Sequence, residues 1–186
     1  MRFTPAHKDE KLIRGCAKGK RAAQQALYHK YYEQMMRVCM RYAGNEGQAL
    51  EILNDGFLKV FDRIKSFRSE GALGAWIRQI MVRTALDCLK SQQTYQKHLD
   101  QLAVEWEDRY MENEGELYLE SEDIFQHLQA LPPVSRTVFN LFALEGYSHK
   151  EIAEKLSMSE GTSQWHLSTA RKKLKTQFLN KGRVRA

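Results

Sequence analysis

Cysteine and proline are scarce in this chain, with three of each in 186 residues. Cys16, Cys39 and Cys88 are odd in number and far apart. That spacing argues against a disulfide framework or a zinc site and for a reducing compartment, the cytoplasm. No stretch approaches the ~18 uninterrupted apolar residues of a membrane span, so no membrane insertion is expected. The opening "MRFTPAHKDEKL" lacks an apolar core, and no signal peptide is expected. The phosphate-cradling glycine loop with its lysine is missing, and so is an HExxH pair. Neither a cofactor nor a metal is therefore expected. Few prolines and little strand-like alternation leave an all-α reading.

Charge is present but unevenly placed. The chain carries a formal +6. Between Ser91 and Asp123 ten acids face only Lys97 and Arg109, a net of −8, so the remainder holds +14. Two basic blocks thus flank one acidic segment, a pattern that suits a polyanionic partner. The expected architecture is two small helical domains, residues 1–90 and 122–186, joined by an acidic linker over 91–121. The linker reads equally as a plain solvated spacer.

In the C-terminal block, "EDIFQHLQAL" forms a short amphipathic helix stopped before Pro132 and Pro133. Proline suits the first turn of the next helix, where Val134, Val138, Leu141 and Phe142 share a face. Gly146 ends it. Ser148 and Glu151 have capping-box spacing, and Ile152, Ala153 and Leu156 form an inward stripe. Ser159 can cap a further helix, in which Ser163, Leu167, Ala170 and Leu174 recur at steps of four, three and four. Short helix, tight turn and second helix make a helix-turn-helix, whose second helix enters the major groove. Its opposite face holds Gln164, Trp165, Ser168, Thr169 and Lys172. A glutamine can contact adenine bidentately, hydroxyls serve several bases, and an apolar edge meets a thymine methyl. Arg171, Lys172, Lys173 and Lys175 can neutralise phosphates. The competing reading folds Trp165 back onto a neighbouring helix.

In the N-terminal block, "GKRAAQQALYHKYYEQMMRVCMRYAG" reads as one long helix with Leu27, Tyr31, Met35 and Val38 inward. After "GNEG" comes a second, with Leu50, Leu53, Phe57, Val60 and Ile64 inward. Its other side carries Glu51, Asn54, Asp55, Leu58 and Asp62. An acidic stripe with a leucine in it can dock a basic protein, or simply face solvent. "WIRQIMVRTALDCLKSQQ" is apolar nearly all round, with Arg78, Gln79, Arg83 and Lys90 clustered on one side and Trp76 at its start. Cations beside an aromatic suit stacking on unpaired bases, or an ordinary core tryptophan.

Three segments, in this order, resemble the extracytoplasmic-function (ECF) sigma factors. "ALEILNDGFLKVF" is similar to the family's AEDLxQEVFxxxW. "AWIRQIMVRTALDCLK" is similar to WLxxIAxNxxxDxLR. "EGYSHKEIAEKLSMSEGTSQWHLSTARKKL" is similar to EGxSxxEIAxxLxxxxGTVxSRLxRARxxL. The likeness covers about residues 20–90 and 122–177. It implies a polymerase specificity subunit with no chemistry of its own. It implies that Glu51, Asn54, Asp55, Leu58 and Asp62 bind the clamp helices of the largest RNA polymerase subunit. Phe67, Arg68, Ser69, Trp76, Gln79, Arg83 and Lys90 become candidates for capturing the −10 promoter element. Ser148, Lys150, Thr162, Gln164, Trp165, His166, Ser168, Thr169, Arg171 and Lys172 become candidates for reading the −35 duplex. Members of the family are commonly held inactive by an anti-sigma factor. Reach allows both contacts. The linker spans up to ~100 Å, against a separation of about 70 Å, two duplex turns.

This chain departs from the family pattern in places. Asn54 replaces a glutamine and Arg83 an asparagine of the −10-reading helix. Ser163 stands at a core position usually held by valine, which predicts a looser core there. Gln164, His166 and Thr169 replace commonly basic residues. Two rival readings are a dimeric helix-turn-helix regulator, which predicts palindromic sites, and a small nuclease, which needs a carboxylate or His/Cys metal cluster. Glu151 and Glu154 lie one turn apart, but capping and exposure account for them.

Overall fold

A computed structural model describes residues 6–68, 72–102 and 122–184, and every regular element among them is helical. The chain divides into two compact units between Cys88 and Leu89.

The first unit opens with α1, Ala6–Ala17, a helix the periodicity argument did not anticipate. It ends where Gly19 takes a φ of 67°, so that the Lys20 amide donates to the Gly15 carbonyl; only glycine adopts that conformation freely. α2, Arg21–Met40, buries Leu27, Tyr31, Met35, Val38 and Cys39, the stripe its three-and-four spacing predicts. Asp9 of α1 ties the two helices together. It accepts a hydrogen bond from the Tyr31 hydroxyl at 3.0 Å and pairs with Lys30. Burial, followed by this carboxylate, pushes the Tyr31 phenol well above its ordinary pKa.

α3, Glu46–Arg63, starts at Asn45, whose side chain accepts from the Gln48 amide at 2.8 Å. It buries Ala49, Ile52, Leu53, Gly56, Phe57 and Val60, and Ile64 follows in a 3₁₀ turn, Ile64–Ser66. Leu50 is a correction to the expected stripe, being 39% exposed. At 3.6 residues per turn it lies roughly 60° from Leu53, on the margin, while Ala49 falls nearer the centre and takes the inward place.

α4, Leu73–Leu102, buries Leu73, Ile77, Ile80, Met81, Val82, Thr84, Ala85 and Leu86. Its apolar character nearly all round is thereby explained. It continues past Lys90, where the linker was expected to begin, to Leu102. The rest of the linker, 103–121, lies outside the described residues.

The second unit contains α5, Glu122–Gln129, and α6, Pro133–Phe139, with Pro133 in the first turn as expected. α6 widens into a π turn over Asn140–Leu144, where the Glu145 amide reaches back five residues to the Asn140 carbonyl at 3.1 Å. The wider turn changes which residues face inward. Val138 and Leu141 are buried, but so are Ser135, Arg136, Thr137 and Asn140, while Val134 and Phe142 are only half-buried. Gly146, at φ 76°, closes the segment. α7, His149–Leu156, and α8, Glu160–Val184, complete the unit. Leu128, Leu131 and Ala170 form a core against which Phe139 and Leu174 pack.

At Gly15, α1 lies close against Ala23 of α2. A Cβ there would sit 2.5 Å from the Ala23 Cβ. Alanine in a helix normally gains about 0.5–1 kcal/mol over glycine, but overpacking costs about 1–3 kcal/mol, and a methyl on a small residue cannot swing aside. Gly15→Ala is expected to destabilise the first unit by about 1–2 kcal/mol, read as a lower urea midpoint; an unchanged or higher midpoint contradicts this packing.

Candidate nucleic-acid interface

The helix-turn-helix is built from its caps. The Ser148 hydroxyl and Glu151 carboxylate form the expected capping box, the Ser148 amide donating to Glu151 at 2.8 Å. These bonds hold the fully exposed Glu151 carboxyl below its ordinary pKa. Ser157 then turns the chain with a φ of 55°, a left-handed conformation without glycine. Ser159 accepts from the Thr162 amide at 3.0 Å and starts α8. Thr162 adds its own hydroxyl, 2.8 Å from that of Ser159.

α8 presents two unlike faces. Ser163, Leu167 and Ala170 are buried. Gln164, Trp165, Ser168, Arg171 and Lys172 are exposed, and Thr169 is half-buried. Trp165 does not fold back: its side chain is 62% exposed. Ser148 and Lys150 are exposed at the head of α7. Arg171 lies over the Phe142 ring at 5.6 Å, which in turn stacks on His149 at 4.7 Å.

Two histidine–serine pairs fasten this helix. His149 Nδ1 lies 2.9 Å from the hydroxyl of Ser163, and His166 Nδ1 lies 3.0 Å from that of Ser135. The hydroxyl at position 163, expected only to loosen the core, therefore carries a cross-helix hydrogen bond. His166 is half-buried and turned toward α6 rather than outward with Gln164 and Trp165. Partners 14 and 31 residues apart leave no local signal, and neither pair was legible in the sequence.

In the first unit, Phe67, ahead of α4, and Trp76, in its first turn, have their rings 5.4 Å apart and tilted by 53°. Both are half-buried, whereas Arg68, Gln79 and Arg83 are exposed, as is Lys90 further along α4, just past the division at Cys88. Ser69 lies outside the described residues. On α3 the residues Glu51, Asn54, Asp55, Leu58 and Asp62 are all exposed, Leu58 at 63%. Two further residues border that face: Leu50, and Tyr28 of α2, whose hydroxyl donates to Asn54 Oδ1 at 3.1 Å. Among the described residues no group of three His, Cys, Asp or Glu side chains could hold a metal ion, and no helix is long and apolar enough to cross a membrane.

Two family models match this chain, sigma-70 region 2 over residues 27–95 and sigma-70 region 4 over residues 121–174. The ECF RNA polymerase sigma-E factor of Haemophilus influenzae is 26% identical over 180 residues, covering 91% of this chain and 95% of the relative. That of Escherichia coli strain K12 is 27% identical over 173 residues, covering 88% and 90%. The sigma factor RpoE of Bartonella quintana, solved with the anti-sigma factor NepR, shares the fold at a TM-score of 0.50 and 18% identity, over 83% of this chain and 95% of that one. Two helical units in this order, the second bearing a helix-turn-helix, place the chain in the sigma-70 family, within its ECF branch. It is an RNA polymerase sigma factor and acts in transcription initiation.

Burial lowers the pKa of His166 below its ordinary value. The unfolded chain therefore binds a proton at this ring more readily than the folded one as pH falls through about 6.5. Stability from this group is complete above that value and lost below it. The urea midpoint is expected to fall between about pH 7.5 and pH 5.5, and to fall less in His166→Gln. Equal slopes in both proteins count against the assignment.

Proposed function

We propose that the sigma activity of this chain is distributed over three surfaces, with residues 1–90 acting as the region 2 module, 91–121 as an acidic linker through the polymerase, and 122–186 as the region 4 module. The outward face of α8 reads the −35 duplex. Gln164, Trp165, Ser168 and Thr169 meet base edges, and Ser148, Lys150, Thr162, Arg171 and Lys172 hold phosphates, all five being exposed around the head of α7 or along α8. The single observation that carries the reading is this exposed face, an indole and an amide beside cations on the second helix of the motif.

The −10 element is captured at the start of α4. The Phe67–Trp76 pair supplies stacking surface, and Arg68, Ser69, Gln79, Arg83 and Lys90 supply polar and cationic contacts to the displaced strand. Binding energy from the −35 contacts and from polymerase offsets the cost of unpairing. The chain contributes no catalytic group; nucleotide addition belongs to polymerase.

The exposed α3 face of Glu51, Asn54, Asp55, Leu58 and Asp62 binds the clamp helices, an acidic rim around one leucine suiting a basic partner. An anti-sigma factor that covers this face fits the same scheme, and the Bartonella quintana relative is in complex with one. The site of action is the cytoplasm, where polymerase and chromosome meet.

Two experiments test the assignment. Charge reversal at Glu51→Lys with Asp55→Lys is expected to abolish complex formation with core polymerase on native gels while leaving the melting curve unchanged; a complex of normal yield rejects the docking face. Trp76→Ala is expected to lower transcription from duplex promoters by about tenfold, the equivalent of one lost stacking contact of ~1–3 kcal/mol. A template already unpaired at −10 is expected to narrow that deficit, since melting is no longer required, and an identical deficit on both templates rejects a role in strand capture.

A further inference from the structure

We propose that Trp165 reads a thymine methyl group in the −35 duplex and that His166 is the residue that positions it. The inference rests on the region 4 reading above and deepens it from a surface to a chemical group.

Trp165 is an anomaly on energetic grounds. An indole is a large apolar surface, and leaving it in water forgoes the stabilisation that burial provides. Its helix nevertheless keeps it 62% exposed while burying Ser163 and Ala170, two small residues. Leu50, Leu58 and Leu144 are the other large hydrophobic side chains exposed among the described residues, and none of them lies on the helix-turn-helix pair.

The ring is also not free to wander. His166 stands edge-on to it, the centroids 4.8 Å apart and the planes at 73°. His166 is held in turn by Ser135, which is 1% exposed and belongs to α6. A buried hydroxyl thus fixes an imidazole, and the imidazole flanks the indole. With its Nδ1 engaged at Ser135, His166 faces the unit rather than the groove and acts through its neighbour. Fixing the indole before binding reduces the entropy lost on contact.

The chemistry of the groove selects the target. Tryptophan has one donor, its Nε1–H, and no acceptor. One donor cannot distinguish bases, because acceptors occur on guanine, adenine and thymine alike. The C5-methyl of thymine, by contrast, is the apolar feature of the unmodified major-groove edge. An exposed apolar ring flanked edge-on by His166 discriminates there by contact area.

The test uses holoenzyme reconstituted from core polymerase and the full chain, on a promoter defined by sequencing its transcription start sites. Each thymine of the −35 element is replaced in turn by deoxyuridine, which removes only the methyl. Wild type is expected to lose about fourfold in promoter affinity at one or two positions, as burial of a single methyl implies. Trp165→Ala is expected to bind the thymine duplex more weakly and to show a thymine-to-deoxyuridine ratio of one at those positions. His166→Ala is expected to reduce the ratio partway; loss of fold alone weakens both duplexes equally and leaves the ratio unchanged. A wild-type ratio of one at every position, or a ratio that survives Trp165→Ala, overturns methyl reading. An unaltered ratio in His166→Ala overturns the positioning role. Equal binding to matched and scrambled −35 sequences instead overturns the region 4 reading beneath both.

Discussion

The second unit depends on how closely α8 can seat against its neighbours. Ser163, Leu167 and Ala170 make that seat, and two of the three are small. Small inward residues let the helix approach without pushing large outward ones off their face. The polar atom this leaves inside would be costly if unpaired. His149 supplies the partner for Ser163, and the Ser135–His166 contact fastens the next turn of the same helix. A recognition surface must be held rigidly if side-chain geometry is to discriminate bases, and cross-helix hydrogen bonds fix rotation about the helix axis more narrowly than apolar contact does.

The first unit follows the same division of labour on α3. Its inner face is closed by Ile52, Leu53, Phe57 and Val60, so the opposite side stands exposed, tied to α2 through Asn54. Natural proteins seldom gather exposed leucine among acids without reason, and Leu58 with its acidic neighbours is such a gathering. Tyr28 extends the arrangement from α2 by orienting the Asn54 amide. Helical units this small secure their cores with few residues and leave much of their surface for partners.

Much of this organisation was readable from spacing alone. Leu27, Tyr31, Met35 and Val38 recur every three or four residues and face inward as periodicity demands. The caps at Ser148 and Ser159 are local chemistry written within four residues, and both form. What escaped detection is non-local. α1 has only Leu12 and Ile13 as large aliphatic side chains, and its place is set by Gly15 meeting Ala23 and by Asp9 meeting Tyr31. Leu50 continues the three-and-four spacing of Leu53 and Phe57 and so reads as inward, yet Ala49 lies nearer the centre of the face. Arg136, to which the spacing assigned no place, is buried and donates to the Gln129 carbonyl at 3.5 Å and to its side-chain oxygen. The recognition face was legible as a pattern; the outward stance of Trp165 and the inward turn of His166 required coordinates, since adjacent helical residues differ by only about 100°.

The π turn over Asn140–Leu144 has a consequence for how this unit can vary. One extra residue is accommodated there without breaking the helix, so the chain enters the Gly146 bend in a phase that a regular α-helix of the same length would miss. Removing a single residue from the turn would rotate everything downstream by about 100° about the local axis, and the motif would emerge facing a different direction. The register of this short segment therefore sets the direction in which α7 and α8 present their exposed faces.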